Sequence, residues 1–384
     1  MLRLNSGKKS HVLFAMTGAC GVTGGIATAN LNILRALVEL VHDKGIELTI
    51  FSFLEKNTDR PGFLPDKVRF NAFQGNKFAL SASLVRFAIR KPVCCFDHVT
   101  LALPVLPFAA VGAIKTIIFA HGSESWKRLR KTSQWSFRCA SLCLTNSHFT
   151  LRNMRKRFSR LNGVSCPLGL SPEFPLHAEI TDGHVNEIEL EAVDGNTYPL
   201  GKRVLLLVAR MDHSEGQKGH RALINVMPEL LSEFPDVQLV FPGPGDDRKN
   251  LQELAKRTGV ASSVFQPGFV SVETLQSLYR HCYAFVMPSK QEGFGLAYLE
   301  AMNYAKPCVG CFEQGAEDII VHGETGFLVQ DPNDTQALLG VLRNLLGDLE
   351  LARRLGRNGF ERLHKGFTAR HYQARIKEQI ARVL

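Results

Sequence analysis

The first half of the chain alternates short apolar runs with longer amphipathic stretches. The apolar runs read H-V-L-F-A-M-T, E-L-T-I-F-S-F, V-C-C-F-D-H, T-I-I-F-A-H and S-L-C-L-T-N-S, and a helical pattern extends from about Ile26 to Lys44. Short apolar runs predict buried strands, and apolar residues at helical spacing predict the helices that connect them. This alternation is typical of repeated strand–helix–strand units.

The same alternation resumes after residue 202. The later runs read R-V-L-L-L-V-A-R, V-Q-L-V-F-P-G, V-F-Q-P-G, A-F-V-M-P-S, P-C-V-G-C and G-F-L-V-Q, each followed by a helical segment. Between Ser171 and Lys202 no period is sustained, which indicates a linker. The pattern predicts an α/β fold with two Rossmann-like domains, and 384 residues with 45% hydrophobic content suffice for two cores. We place these domains at residues 1–197 and 198–366, followed by a final helix at 367–384.

Targeting signals are not evident in the sequence. The first ten residues lead directly into an apolar run that is too short and badly flanked for a signal peptide. The apolar stretch Leu101 to Ala120 is interrupted by Pro104 and Pro107, so it predicts a helix, a loop and a buried strand rather than a membrane span. We expect a cytoplasmic protein.

The nine cysteines are scattered, and without an export signal we expect them to stay reduced. Cys308 and Cys311 form one C-x-x-C whose flanks predict a buried strand, where cysteine behaves as a small hydrophobe. There is no second C-x-x-C to complete a zinc site.

The net charge of +10 is concentrated in one stretch. Residues 125–172 contain ten Lys or Arg and neither Asp nor Glu, which predicts an anionic partner. Both tryptophans, Trp126 and Trp135, lie in this stretch, as expected for a surface resting on anionic lipid at the inner membrane leaflet.

Two other interpretations of the basic stretch stay open. Four apolar residues recur at helical spacing, which favours a core-facing stripe beneath a solvated basic face; they are Leu151, Met154, Phe158 and Leu161. Clustered Lys and Arg also suit nucleic acid, but no recognition motif accompanies them, so we expect no nucleic-acid partner.

The segment from Ala284 to Met302 predicts a strand, a glycine-bearing turn and a helix. The turn would aim backbone N–H groups beyond the carboxyl edge of the sheet, which suits a diphosphate; these groups belong to Gly293, Phe294, Gly295 and Leu296. Glu300 would lie about 7.5 Å along the helix, within reach of ribose hydroxyls, and Glu292 would face the transferred sugar. The spacing of the two glutamates alone is more typical of ordinary surface residues.

Further candidates follow other strands. Arg210 and Lys218 occupy the first strand-to-helix turn of the second domain, where two cations would neutralise a diphosphate leaving group, although a loop Arg and Lys are commonly plain surface charges. Gly24 and Gly25 would let backbone approach a ligand closely at a helix start. His121 ends a predicted strand at a sheet edge where α/β ligands bind, and a structural histidine is the alternative.

The sequence contains no D-x-D, the carboxylate pair by which many sugar transferases hold a divalent metal. We therefore expect no metal and no cofactor.

Taken together, these segments resemble the large family of retaining GT-B glycosyltransferases whose hallmark is two Glu separated by seven residues. The motifs appear in the family's order between Val204 and Val329: A-R…G-Q-K-G-H, V-F-P-G-P-G-D, F-Q-P-G-F-V, P-S-K-Q-E-G-F-G-L-A-Y-L-E-A-M and H-G-E-T-G-F-L-V. The resemblance implies two Rossmann-like domains facing each other across a cleft, with helix 367–384 packing back on the first.

The resemblance also implies roles for individual residues. Arg210 and Lys218 would bind the donor diphosphate, Glu300 the ribose and Glu292 the sugar ring. Gly25 would close over the phosphates from the first domain.

Two further implied roles concern the sugar and the base. His121, in F-A-H-G-S-E-S-W, matches the family's histidine at the sugar, and Phe269 and Val270 would lie near the base. Two departures stand out: Asp318 occupies a position where Glu is common, and only Gly169 matches the family's interdomain N-G-x-D segment.

The implied function is metal-independent, retaining transfer of a hexose-type sugar from a UDP- or GDP-sugar to a saccharide or lipid-linked saccharide, in cell-surface polysaccharide or glycolipid biosynthesis. The cleft would supply positioning and charge stabilisation, and the leaving phosphate would act as the base. The alternatives are a nucleotide-sugar epimerase and a non-catalytic nucleotide-sugar-binding homologue.

Overall fold

A computed structural model describes residues 10–22, 24–172, 174–180, 188–191, 197–213 and 217–384, with 188 and 191 described by their backbone alone. The chain divides into two compact units, Met1–Pro172 with Ala369–Leu384, and Glu173–Thr368. The segment before Ser10, in which we saw no export signal, and parts of the predicted linker lie outside the described residues.

The first unit is built on a seven-stranded parallel sheet of order β3-β2-β1-β4-β5-β6-β7. Its strands are β1 (His11–Met16), β2 (Glu47–Ser52), β3 (Arg69–Ala72), β4 (Val93–Phe96), β5 (Lys115–Ala120), β6 (Leu142–Thr145) and β7 (Gly163–Ser165). Its helices are α1 (Gly25–Asp43), α2 (Lys77–Ala88), α3 (Leu106–Ala110), α4 (Ser123–Trp126), α5 (Lys131–Cys139), α6 (His148–Arg157) and the last helix of the chain, α14 (Ala369–Val383). Short 3-10 helices span Asn57–Asp59 and Val99–Val105.

Helices cover both faces of this sheet, so its central strands are apolar along their whole length. Residues 12–16 of β1 are fully buried. Helix α14 packs on α1, where the Gln373 side chain donates to Asn32 and Lys377 bridges Glu39 and Asp43. The end of the chain is therefore part of the first unit.

The second unit is built on a six-stranded parallel sheet of order β12-β11-β10-β13-β14-β15, beside an antiparallel pair, β8 with β9. The strands are β8 (Ile188–Glu191), β9 (Thr197–Leu200), β10 (Arg203–Leu206), β11 (Val237–Pro242), β12 (Val264–Gly268), β13 (Ala284–Val286), β14 (Cys308–Cys311) and β15 (Gly326–Val329). The helices are α7 (His220–Glu233), α8 (Arg248–Arg257), α9 (Val272–His281), α10 (Leu296–Asn303), α11 (Ala316–Ile319), α12 (Thr335–Gly347) and α13 (Leu349–Gly366), with a 3-10 helix at Ala261–Ser263.

The division between the units falls after Pro172, whereas the sequence placed it at residues 197–198. Residues after Pro172 contact the second unit: the Phe174 ring packs edge-on against Tyr279, and the His177 N–H donates to the Asn303 side chain. The predicted linker contains β8 and β9, which pair with each other. Strand pairing and aromatic packing of this kind leave no helical or long alternating period in the sequence.

The apolar stretch Leu101 to Ala120 forms a 3-10 helix, the short α3 and the buried β5, as predicted. Within the described ranges, no helix combines the length and apolar character required to cross a membrane. Cys308 and Cys311 lie at the two ends of the buried β14, also as predicted. Burial raises the pKa of the Cys311 thiol to about 12, so it stays protonated at neutral pH.

Candidate functional site

The strand order of the second sheet reverses between β10 and β13, which lie side by side in parallel. Ligands of open α/β sheets bind beyond the carboxyl ends of strands at such a point. The loop after β10 carries Arg210 and Lys218, and the loop after β13 carries Glu292. The topology therefore brings these loops to one edge.

Lys218 and Glu292 form an ion pair at this edge. The Lys218 ammonium lies 2.9 Å from the Glu292 carboxylate, and the two side chains are only 21% and 14% exposed. The two loops are also joined by backbone, because the Lys290 N–H donates to the Gln217 carbonyl. A largely buried, charged pair at a strand edge is a strong electrostatic feature.

Gly219 fixes where Lys218 lies. It precedes α7 with a φ of +102°, and a Cβ atom there would come within 2.7 Å of the Pro288 ring. Only glycine combines this backbone conformation with such a close approach. The turn after β10 is therefore held against the segment that leads from β13 to Glu292.

The loop that bears Glu292 is held from its other side by residues 314 and 315. The Glu292 N–H donates to the Gln314 side chain at 3.0 Å, and the Gly315 N–H donates to the Glu292 carbonyl at 2.8 Å. A Cβ atom on Gly315 would lie 2.4 Å from the Gly293 carbonyl. Two glycine-bearing segments thus meet without side chains between them.

Helix α10 begins at Leu296, after Gly295 with a φ of +95°. The backbone N–H groups predicted to bind a diphosphate, at 293–296, thus lie at this helix start, and the Phe294 N–H lies 3.4 Å from the Glu292 carboxylate. Glu300 is the fifth residue of α10, as the spacing predicted.

Tyr279 on α9 holds Glu300. Its hydroxyl donates to the Glu300 carboxylate at 2.8 Å, and its ring is fully buried and stacked on Tyr304 with 9° between the ring planes. Burial, together with the charge of Glu300, raises the Tyr279 pKa well above its usual range, so the hydroxyl stays a donor. Tyr279 was not among the predicted site residues, because nothing near it in the sequence indicates that α9 and α10 share a hydrogen bond.

Arg210 has a more open position. Its side chain is 61% exposed, and its guanidinium lies 3.5 Å from the Asp212 carboxylate. The neighbouring backbone is packed tightly, because a Cβ atom on Gly243 would lie 2.2 Å from the Ala209 carbonyl oxygen. Part of the V-F-P-G-P-G-D motif therefore shapes the Arg210 loop.

Phe269 follows β12 and is 63% exposed, an unusual position for a large aromatic ring. Val270 comes next, before α9 begins at Val272. The placement of both residues near the nucleotide base stays a prediction. Asp318 lies in α11, where its backbone carbonyl accepts from Arg362.

The first unit has its own strand-order reversal, between β1 and β4. There the buried Asp97 carboxylate accepts from the Thr17 N–H and hydroxyl and from the Asn30 amide. His121 directly follows β5, which pairs with β4, and its Nε2 atom is buried without a hydrogen-bond partner among the described residues. Burial, with a smaller effect of His98, lowers the His121 pKa to about 4, so its imidazole is neutral at physiological pH.

The backbone of the glycine-bearing loop after β1 binds a side chain of the protein itself, the carboxylate of Glu55. One oxygen of the Glu55 carboxylate accepts three consecutive N–H groups at 2.5 to 2.8 Å; they belong to Ala19, Cys20 and Gly21. Gly24 and Gly25 lie just beyond, at the start of α1, and the space beside Gly24 is open. Sequence reasoning missed Glu55, and contact of Gly24 and Gly25 with phosphate stays a prediction.

Residues 191–362 match the family model described as Glycosyl transferases group 1. A GDP-mannose-dependent alpha-(1-6)-phosphatidylinositol monomannoside mannosyltransferase of Mycolicibacterium smegmatis is 28% identical over 253 residues, 64% of each chain. A glycosyltransferase of Methanocaldococcus jannaschii with no assigned substrate is 37% identical over 38% of this chain and 36% of its own. These matches span less than two thirds of the relatives' own length.

Solved structures resemble the chain over nearly all of its length. Anabaena HepE, solved with UDP and glucose, superposes with a TM-score of 0.73 and 18% identity, covering 97% of this chain and 99% of its own. The lipopolysaccharide outer core galactosyltransferase WaaB gives 0.71 and 18%, covering 97% and 100%. The predicted GT-B fold, with two Rossmann-like domains, is thereby confirmed.

Proposed function

We propose that this chain is a retaining hexosyltransferase of the group 1 glycosyltransferase family and that it uses a UDP- or GDP-sugar. The match of residues 191–362 to that family's model supports the proposal. The observation that carries the proposal is the Lys218–Glu292 ion pair beside the start of α10. This cluster supplies a cation, a carboxylate and helix N–H groups at the edge of one sheet. Such an arrangement suits a donor that is anionic at its diphosphate and polar at its sugar.

In the proposed reaction the bond between the sugar's anomeric carbon and the diphosphate oxygen breaks with oxocarbenium character. The acceptor hydroxyl attacks from the same face and gives its proton to the leaving phosphate, so the configuration is retained. Lys218 and Arg210 stabilise the charge of the leaving diphosphate, because fixed cations need no reorganisation as charge develops.

Glu292 accepts hydrogen bonds from the sugar hydroxyls in this scheme, and Glu300 accepts from the ribose. The neutral imidazole of His121 orients the donor sugar, and its buried Nε2 offers a hydrogen-bonding atom for that purpose. Metal independence belongs to the same proposal. Full activity in EDTA is its test, and activity restored only by a divalent cation would contradict it.

The decisive experiment measures transfer after substitution of the ion pair. Glu292→Ala and Lys218→Ala should each lower turnover by about a hundredfold or more, since each removes an interaction with the reacting donor. Glu253→Ala and Lys256→Ala are matched controls, because these residues form a pair whose side chains are each 64% exposed. Near-wild-type turnover in either site variant would refute the assignment.

The donor can be found by thermal-shift screening of UDP- and GDP-sugars, because a bound donor stabilises the folded state by mass action. Product analysis with the donor alone separates transfer from epimerisation. NMR of the anomeric proton in the product tests retention, and inversion would refute the mechanism.

We also propose that the enzyme works in the cytoplasm at the inner membrane leaflet, on a saccharide or lipid-linked saccharide for cell-surface polysaccharide or glycolipid synthesis. The ten basic residues of 125–172 support this proposal, since each basic residue near an anionic membrane contributes about 1 kcal/mol. The names of the mycobacterial mannosyltransferase and of WaaB, which mention a phosphatidylinositol mannoside and lipopolysaccharide, point the same way. Absence of co-sedimentation with anionic liposomes at low salt would remove this part.

A further inference from the structure

Helix α2 carries an apolar stripe that faces away from the protein. Phe78 is 89% exposed, Val85 38% and Ile89 71%, and Ala82 is also exposed. Their spacing of four, three and four residues places all four on one side of the helix. Ile89, at the C-terminal cap, keeps a helical backbone, so the stripe runs the length of α2.

The exposed stripe is distinct from the side of α2 that packs on the core. The opposite side of α2 is already buried through Leu80, Leu84 and Phe87, which belong to the core of the first unit. Single exposed apolar residues are ordinary, whereas an aligned set marks a binding surface. Helix α2 is therefore apolar on both its inner and its outer side.

Two more large apolar side chains are exposed on the same layer of the first unit. Helices α2 and α5 both pack against the 3-10 helix Val99–Val105, and α3 packs against α5. Val111, at the end of α3, is 79% exposed, and Trp135 on α5 is 55% exposed. The apolar surface thus extends from α2 toward α5.

This layer lies in a segment without an exposed carboxylate. Between Lys77 and Pro172 the only acidic residues are Asp97 and Glu124, which are 0% and 2% exposed. The same segment contains Lys77, Arg86, Arg90, Lys91, Lys115, Lys127, Arg128, Arg130, Lys131, Arg138, Arg152, Arg155, Lys156, Arg157 and Arg160. The charge requires an anionic partner, and the exposed Phe, Ile and Trp side chains require one with an apolar interior.

We propose that the outer stripe of α2 inserts into the boundary between headgroups and acyl chains of an anionic bilayer, while the surrounding basic side chains bind the headgroups. This inference deepens the proposed membrane association, and rests on it. It adds an inserted element, α2, that lies outside the stretch 125–172 predicted to rest on the lipid. The phosphates of a nucleic acid would pair with the basic side chains, but a nucleic-acid backbone has no apolar interior that could bury Phe78 and Ile89.

The test uses the full-length protein and vesicles of phosphatidylcholine, with or without phosphatidylglycerol. Phe78→Ser/Ile89→Ser should weaken binding to anionic vesicles at least about tenfold, because two apolar side chains no longer leave water. Leu349→Ser is the matched control, since Leu349 is 49% exposed but lies in the second unit. Its binding should equal that of the wild type.

Fluorescence gives a second readout. In a Trp126→Phe background Trp135 is the only tryptophan, and its emission should shift to the blue on anionic vesicles and not on neutral ones. Equal binding by the double variant and the wild type would overturn the inference, as would an equal loss in Leu349→Ser. Binding of duplex DNA or RNA in place of vesicles would overturn it too.

Donor binding separates this inference from the proposed function. The double variant should keep the wild-type thermal shift with the nucleotide-sugar donor, because α2 lies in the first unit and the Lys218–Glu292 cluster in the second. A loss of that shift in the double variant would count against a specific role in docking. A wild-type protein that binds vesicles without binding any donor would refute the transfer reaction alone.

Discussion

Tyr279→Phe removes one hydroxyl and leaves the ring that carries it. The lost bond is the 2.8 Å contact with the Glu300 carboxylate. Contacts of the ring with Tyr304, Phe174 and Phe285 should persist, since phenylalanine fills the same space. The substitution therefore isolates the orientation of Glu300 from the packing around it.

The magnitude follows from the type of bond. A hydrogen bond to a charged group contributes about 1.5 to 3 kcal/mol, and part of this is recovered when Glu300 finds another partner. We expect the free energy of unfolding to fall by about 1 to 2 kcal/mol, which lowers the melting temperature by about 2 to 8 °C. A less firmly held Glu300 should weaken UDP or GDP binding about tenfold, or about 1.4 kcal/mol.

Calorimetric titration measures the affinity for the nucleotide, thermal unfolding measures the melting temperature, and steady-state kinetics measure KM and kcat for the donor. The KM for the donor should rise while kcat stays nearly constant, because Glu300 is assigned to the ribose and not to the transferred sugar. Tyr283→Phe is the matched control, since the Tyr283 hydroxyl donates to the Leu345 carbonyl. Nucleotide affinity unchanged in Tyr279→Phe, despite a lower melting temperature, would refute the positioning role.

Two further predictions concern stability. Gly315→Ala should destabilise the second unit by about 1 to 3 kcal/mol, since its Cβ would overlap the Gly293 carbonyl. Chemical denaturation measures this loss, and Gly340→Ala is the control, because a Cβ atom at Gly340 meets nothing within 4 Å. Equal effects of the two substitutions would contradict the prediction. Burial lowers the pKa of His121 and of His220 to about 4. Between about pH 6.5 and pH 4 the unfolded chain therefore binds more protons than the folded chain, and stability should fall with decreasing pH by up to about 1.4 kcal/mol per unit for each histidine. Urea titrations between pH 7 and pH 4 in about one-unit steps check the sign, and stability that rises on acidification would refute it.

The sequence predicted the repeating strands and helices well, because buried parallel strands are continuous apolar runs and their helices are amphipathic. Helix α1, predicted from about Ile26 to Lys44, spans Gly25–Asp43. The pattern failed between residues 172 and 202, where short antiparallel strands and side-chain contacts tie the chain to the second unit. Such contacts leave no regular spacing of apolar residues in the sequence, so the sequence pattern does not predict them.

The candidate site, like the fold, could be predicted from the sequence only in part. Lys218 and Glu292 could be assigned to one sheet edge, because both follow strands of a parallel sheet, and the carboxyl ends of parallel strands lie at the same edge. Their direct ion pair, the Tyr279 hydrogen bond and the Glu55 carboxylate in the first loop could not be predicted. Each depends on side chains that are distant in sequence and meet only after the helices pack.

The chain leaves its first unit after Pro172 and returns to it at Ala369. The second unit is therefore one continuous segment, 173–368, whereas the first unit is built from two segments that this segment separates. Truncation ahead of α14 would therefore uncover α1, which lies far from α14 along the sequence, and leave the second unit whole. Limited proteolysis of such a truncated protein should release a resistant second unit and degrade the first.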